Sequence, residues 1–562
     1  MLSKRYAIIL TAIIAVGFLL RIAGFGFEYM FDYISDENYP NSCALRMLYN
    51  RTLSLNNCGN LHPALYTLIN LPSIFAGLLI LLLKNNFDLE ITKQLIVLYP
   101  FAATLPLVRL LAVFMGTATI FVLYKAVKLL FNSQAKGLIA AAFLAVSLIA
   151  VDLSHWGKAW SGVLFFTFSA LYYAILVYQT GKRKHYILSA IFISSAFGMH
   201  YTGFFSVILI FLGHFLGKFK SAPFSLREMV RSNKNLYFSL GLSLLISAFW
   251  IFLNRQGVYN FLFNPTADAG VSGYYGGGGF SRYFSSLFYY FKYFIMFDPV
   301  VFGLLAAALF FNFRKFFTPR YLFFAAFFIF YLAGMLLIDF GNKIRWSLPL
   351  IAISIPIAAD FLGDLRSRFK SKIAYAVFLA LLLLPSLIFS AVWDYILTLP
   401  NTHFAAKAWA EQNIPPDSKV LFLDLALILP VSQDGAKDLE AALAGVRGSN
   451  QRYAYLAQNG QKAMPGYRVV SWDQYTDNPD YPGWQQFDYY ILSYVDEAQY
   501  RVKLALMPPA DILELMHQIK PFDVQGIHRL FKPGRDSPFE YLRFLKDIRM
   551  TGPTIEIYKL KP

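Results

Sequence analysis

Long apolar runs leave this chain few ways to fold. Ala7–Leu20, Leu110–Leu123, Gly137–Ala150, Leu236–Leu253 and Ile373–Trp393 contain no charged residue. With their flanks they reach the roughly 20 residues that a helix needs to cross a bilayer. In lipid each backbone N–H and C=O must be satisfied without water, so such runs can only be helices. The chain therefore reads as a polytopic α-helical membrane protein. Composition agrees: 57% of residues are hydrophobic and 15% charged, against about 25% charged in soluble domains.

The net charge of +17 does not point to nucleic acid, which would call for a basic soluble face. The lysines and arginines instead sit in short runs between apolar segments. Examples are Lys4-Arg5, Lys125/Lys128/Lys136, Lys182-Arg183-Lys184, Lys218/Lys220/Arg227/Arg231/Lys234, Arg314-Lys315/Arg320 and Arg366/Arg368/Lys370/Lys372. That is the pattern of cytoplasmic loops, and it predicts about eleven spans in a cell inner or plasma membrane. No small-residue cleavage site follows Leu20, so the first run reads as a span and not a removed signal. The expected path is 6–24 out, 109–131 in, 137–151 out and 160–178 in. The stretch 187–216 lies between two basic loops and must turn near Gly198–Gly203. Then 236–253, 287–312, 321–338, 346–361 and 373–393 follow, which leaves the C-terminal part extracytoplasmic. Parity requires the apolar stretch Leu61–Leu83 to lie in or re-enter the outer interface and not cross.

The first outer loop, 25–108, concentrates the polar chemistry. Asp36-Glu37 is an adjacent acid pair in a chain with few acids. Transfer of a sugar to a hydroxyl or amine needs a carboxylate to take the acceptor proton; two solvated loop acids are the bland alternative. His62-Pro63 reads as a helix start, because Pro suits the first helical turn, with His62 at the surface either as a site residue or as an interfacial histidine. Both cysteines of the chain, Cys43 and Cys58, lie here. They either pair, stabilising the loop by roughly 3 kcal/mol, or stay as buried thiols.

Three further places carry ionisable groups at span ends. Asp152, His155 and Lys158 crowd one short turn, where Lys158 is suited to a phosphate leaving group and Trp156 to an interfacial anchor. His200-Tyr201 lies at membrane depth, where ionisable groups mark functional sites by default; a histidine bonded to a neighbouring carbonyl is the alternative. Arg345-Trp346-Ser347-Leu348-Pro349 opens a span behind Asp339 and Lys343, and an Arg there can hold a phosphate through two parallel hydrogen bonds. The Gly-rich stretch 270–283 reads as a flap or a plain flexible loop. No residue group forms a clear metal cage, so no metal ligand and no cofactor is assigned, and metal dependence stays open.

Residues 1–393 form the membrane module and 394–562 a soluble α/β domain. Strand-like runs are Val420–Leu425, Tyr467–Trp472, Phe487–Tyr494 and Thr554–Leu560. Helical spacing is read at Ala505–Ile519 and Phe539–Ile548. With neither a G-x-G-x-x-G nor a P-loop, this domain is expected to cap the site or grip an acceptor and not to bind a nucleotide.

Taken in order, these residues resemble the GT-C glycosyltransferases, in particular the protein O-mannosyltransferase and aminoarabinose transferase group (family 39-like). Asp36-Glu37 matches the group's acidic pair, His62–Tyr66 its H-P-x-L-Y segment and Arg109-Leu110-Leu111 its Arg-Leu-led span. His200-Tyr201-Thr202-Gly203 matches a basic-aromatic pair before Thr-Gly, although many relatives carry Lys where this chain has His200. Arg345–Pro349 matches an Arg-aromatic-x-x-Pro turn. Asn413–Pro416 and Gly552–Tyr558 look like the tail of bacterial members. Each motif is weak alone, and the series spans nearly the whole chain.

The resemblance implies a GT-C fold and an inverting transfer of one sugar from a polyprenyl-phosphate carrier to a lipid, glycan or protein acceptor. By that analogy Asp36 is the base, Glu37 assists, Asp152 is a second acidic site, and Lys158 and Arg345, with His200 and Tyr201, meet the donor. His62 and His155 are further candidates. A transporter, flippase or binding protein for lipid-linked sugars is the other reading. It would want intramembrane charges along a path and internal repeats, and no repeat is visible.

Overall fold

The computed structural model describes residues 4–27, 35–55, 63–98, 104–219, 233–263, 281–338, 344–423, 429–442, 455–458, 466–471, 487–494, 497–521, 542 and 545–561. His62, Cys58, Asp339, Lys343 and most of the Gly-rich stretch lie outside them, as does the side chain of Asp36.

The membrane module is helical. It comprises α1 (Lys4–Ile22), α2 (Ser35–Asn50), α3 (Ala64–Lys84), α4 (Leu89–Leu98), α5 (Leu105–Phe131), α6 (Gln134–Val146), α7 (Leu148–His155), α8 (Trp160–Thr180) and α9 (Arg183–Met199). It continues with α10 (Val207–Phe219), α11 (Lys234–Leu253), α12 (Arg255–Phe263), α13 (Ser281–Phe297), α14 (Pro299–Asn312), α15 (Pro319–Ile338), α16 (Leu348–Leu365) and α17 (Lys372–Thr398). Among the described residues, ten helices are long and apolar enough to cross a membrane, or eleven if the bent pair α6–α7 is one span. The protein is a multi-pass membrane protein with a small C-terminal sheet. The turn expected near 198–203 is present: α9 stops at Met199 and a 3-10 helix, Tyr201–Ser206, leads into α10.

Two expected spans are not single helices. Residues 137–151 belong to α6 and α7, which meet at Ser147 with a bend of 54°. The expected span 287–312 breaks at Asp298, between α13 and α14, where Pro299 cannot donate a backbone hydrogen bond and starts the second helix. The two breaks face each other: Ser147 Oγ donates to Asp298 Oδ2 at 2.8 Å. A broken helix in lipid frees carbonyls that need new donors. Arg21 supplies them to Leu144 O (3.0 Å) and Ala145 O (2.9 Å), and Ser390 Oγ supplies one to Val146 O (2.9 Å). Ser390→Ala leaves that carbonyl unpaired, and is expected to cost about 1–3 kcal/mol in thermal unfolding of the detergent-solubilised protein.

At one end of the bundle Lys136 Nζ ties α6 to α16 through Asp360 Oδ1 (2.6 Å) and Asp364 Oδ1 (2.7 Å). The other end carries the C-terminal domain. There α1 and α17 finish side by side. Gly24 sits at φ +76°, the left-handed region that favours glycine, and a Cβ on it would stand 2.5 Å from Leu397 Cβ.

The helix α17 runs to Thr398, past the expected boundary at 393. The domain then begins with α18 (Thr402–Asn413) and holds β1 (Lys419–Leu423), α19 (Gln433–Ala442), β2 (Arg468–Ser471), β3 (Tyr489–Tyr494), α20 (Glu497–Leu504), β4 (Leu513–Ile519) and β5 (Thr554–Leu560). The sheet order is β2-β1-β3-β5-β4. β1 pairs in parallel with β2 and β3, and β5 pairs antiparallel with β3 and β4. The expected helix Ala505–Ile519 is corrected: its second half is the edge strand β4. Pro508-Pro509 ends the preceding helical turn, and pairing with β5 overrides the helical spacing.

This domain also grips the first loop. Leu95 and Val97 of α4 pack against Val431, Leu439 and Leu456, and Tyr455 Oη donates to Glu90 Oε1 at 2.7 Å. Burial, with Glu90 beside it, pushes the Tyr455 phenol up to about 12, so this donor keeps its proton at neutral pH. The helix α3 has the length of a span. Tyr66 near its start reaches Gly157, Ile74 at its middle packs with Ala44 and Val108, and the following α4 packs against the domain. Cys43 is buried and disulfide-bonded; Cys58 is the other cysteine of the chain.

Candidate functional site

Residues from five separate stretches meet at the domain end of the bundle. Glu37, in the first turn of α2, is only 1% exposed. Arg109, one turn into α5, holds it with two parallel bonds: Nε to Oε1 at 3.1 Å and Nη2 to Oε2 at 2.7 Å. The third guanidinium nitrogen donates to the carbonyls of Phe25 (3.2 Å) and Phe27. One arginine thus joins α5, α2 and the strap that leaves α1. A buried pair of this kind is satisfied only if all its donors and acceptors are used, and here a further donor, the Gly157 amide, reaches Glu37 Oε1.

Gly157 must be small. A Cβ there would stand 2.9 Å from Val108 Cγ1 and 3.3 Å from Glu37 Oε1. Its carbonyl accepts from the Tyr66 hydroxyl, at the start of α3. The residues around it are held from below. Trp156 donates its indole N–H to Asp152 Oδ1 at 3.0 Å, and Asp152 is itself 4% exposed. The face of the Trp156 ring meets two cations, with the Arg109 guanidinium carbon and Lys158 Nζ each 6.0 Å from its centroid. That is within cation–π range. Lys158 stays half-buried.

A few residues on, Trp160 opens α8 and packs tilted against His200, with centroids 4.7 Å apart. Trp346 meets His200 edge-on at 4.9 Å and Trp160 at 5.1 Å. His200 Nδ1 accepts the Thr202 amide at 3.2 Å. The imidazole and the two indoles thus form one triangular ring cluster, and Tyr201 beside it is half-buried, its ring 6.2 Å from that of His200. Arg345, also half-buried, lies in the 3-10 turn Ile344–Ser347 that leads into α16. The next carbonyl, of Trp346, accepts from Tyr331 Oη at 3.1 Å.

Of the residues singled out from sequence, Glu37, Asp152, His155, Lys158, His200, Tyr201 and Arg345 all fall at this end. His155 points downward into the bundle, with Nδ1 2.9 Å from Val151 O and Nε2 2.6 Å from Ala23 O. Asp36 lies next to Glu37 in the first turn of α2. Among the described residues no three His, Cys, Asp or Glu gather as a metal site would need. Sequence reading undervalued Arg109, Gly157 and Tyr66. The available signals were an arginine at the head of an apolar run and a glycine between Trp and Lys in a short turn.

Comparison with known proteins points the same way as the motifs. Residues 96–252 match the family model of the dolichyl-phosphate-mannose-protein mannosyltransferases. Nothing among the curated proteins matches the chain. Among solved structures it is similar to the S. cerevisiae Pmt1–Pmt2 protein O-mannosyltransferase complex bound to the sugar donor, with TM-score 0.36, 14% identity, and coverage of 47% of this chain and 36% of that one. It is also similar to ArnT from Cupriavidus metallidurans bound to undecaprenyl phosphate, with TM-score 0.45, 12% identity, and coverage of 92% and 97%. A third is the Archaeoglobus fulgidus oligosaccharyltransferase in its apo form, with TM-score 0.46, 11% identity, and coverage of 89% and 71%. The chain thus spans about a third of the length of the yeast chain. It resembles GT-C glycosyltransferases.

Proposed function

We propose that this protein is an integral membrane glycosyltransferase that moves a sugar from a polyprenyl-phosphate carrier to an extracytoplasmic acceptor, with inversion at the anomeric carbon. What supports the reading is that the α2 turn carrying Asp36 and Glu37 and two half-buried cations, Lys158 and Arg345, lie at one end of a helical bundle. Glu37 is occupied by Arg109 and Gly157, so it serves to fix α2. Asp36 is the base. As the acceptor oxygen bonds to the sugar C1, the acceptor proton passes to the Asp36 carboxylate. The bond from C1 to the phosphate oxygen breaks on the opposite face. The carrier leaves as a polyprenyl phosphate, and its new negative charge is met by Lys158 and Arg345, which act by charge stabilisation in a dry site. His200 and Tyr201 line the donor side. The C-terminal domain caps the site on the extracytoplasmic face.

The test offers purified protein a panel of polyprenyl-phosphate sugars, with an envelope extract as acceptor. Release of free polyprenyl phosphate from one donor is expected, and that donor names the sugar. Binding without release, together with movement of labelled donor across vesicles, would instead make the protein a transporter.

A further inference from the structure

Below the site lies a buried set of ionisable groups that the proposed chemistry does not use. Asp394, near the end of α17, is 5% exposed. Neither of its oxygens finds a hydrogen-bond donor among the described residues. Its Oδ1 lies 3.4 Å from His155 Nε2. Arg21 is fully buried; besides the two α6 carbonyls, it donates to Gly17 O at 2.8 Å. Trp393, the neighbour of Asp394, faces Asp152. A carboxylate kept in a bundle interior without full pairing costs several kcal/mol in general, and intramembrane ionisable groups mark function by default.

The set has a direction. Asp394 touches His155, the last residue of α7, and His155 in turn holds the Ala23 carbonyl at the end of α1. The next two residues are Trp156 and Gly157, and the Gly157 amide holds Glu37. Packing here has little slack: a Cβ on Gly116 would stand 2.2 Å from Ser154 Oγ and 3.2 Å from Arg21 Nε. The other end of α17 leads within a few residues into the C-terminal domain, where Asn401 Nδ2 bonds Thr551 Oγ1 at 3.2 Å. One route from that domain to the acidic pair therefore runs through the end of α17 and the Asp394 carboxyl, beside the route through α4 and α3.

We propose that Asp394 is a positioning residue: from the helix that carries the C-terminal domain, it fixes His155, and through it the 156–158 turn and Glu37. The proposal deepens the glycosyltransferase reading and rests on it for its kinetic arm. Asp394→Asn keeps the shape and removes the carboxyl group. We expect its kcat to fall by about ten- to a hundredfold, the scale of a small misplacement of catalytic groups, with the donor KM unchanged and with Asp394→Glu recovering part of the loss. Wild-type kcat in Asp394→Asn overturns the proposal. So does a loss that Asp394→Glu does not relieve and that tracks a fall in melting temperature, since a merely structural carboxylate would give that.

A second arm does not depend on turnover. With Cys43 already bridged, Lys158→Cys is labelled with a membrane-impermeant maleimide, with and without Asp394→Asn. Labelling is expected to be several times faster in the double variant. Equal rates overturn the proposal, whether or not the wild type transfers sugar. If the wild type transfers nothing from any donor but the labelling rates differ, the glycosyltransferase reading fails and the positioning role stands.

Discussion

Arg109→Met is expected to be the most destabilising substitution in the membrane module, costing about 3–5 kcal/mol. The reason is geometric. Arg109 and Glu37 are 1% exposed each, and their two parallel bonds at 3.1 and 2.7 Å account for both carboxylate oxygens. Removing the cation leaves a buried carboxylate with one amide donor, Gly157. The cost is the uncompensated charge and not the loss of a favourable pair, so the double variant Glu37→Gln/Arg109→Met should be more stable than Arg109→Met alone. Thermal unfolding in detergent across the four-member cycle checks this. A double variant no more stable than Arg109→Met would show that the arginine matters through the Phe25 and Phe27 carbonyls and not through Glu37. Transfer is expected to be lost in all three variants, because α2 is no longer held against the 156–158 turn.

Asp36→Asn is expected to lower the transfer rate by about two to four orders of magnitude, the usual contribution of a positioned general base, with melting temperature and carrier binding unchanged. Glu37 cannot take over the proton, since it is buried beneath the arginine and already holds three donor groups. The pair therefore divides its work: one acid anchors the helix and the other does the chemistry. Measuring released polyprenyl phosphate under single-turnover conditions checks the rate, and a filter-binding assay with the donor checks affinity. Wild-type turnover in Asp36→Asn would remove it from the centre of the mechanism.

Much of the architecture is legible in the sequence, because lipid imposes a strong rule. A run of apolar residues in a bilayer has to be a helix, so length and charge suffice to find most spans. Strand β5, Thr554–Leu560, falls where alternation and β-branched residues place it. The misreadings have a common cause. Residues 287–312 and 137–151 have the composition of continuous spans, yet Asp298 and Ser147 break them; at the second break Arg21 and Ser390 answer the freed carbonyls from distant helices. At 513–519 pairing with a strand some forty residues away overrode a local helical pattern.

The sequence by itself determined most of the apolar helices and which short stretches hold ionisable groups. Hydropathy and charge are local properties, so a local reading recovers them. Only the tertiary structure decided that Glu37 belongs to Arg109, that Gly157 rather than a side chain completes their pairing, that His200 clusters with Trp160 and Trp346, and that Asp394 lies beneath the same turn. These partners come from separate helices, 72 positions apart for Glu37 and Arg109. No sequence period links them; what joins them is the need of each buried charge and freed carbonyl for a partner within about 3 Å, which only the packed bundle can supply.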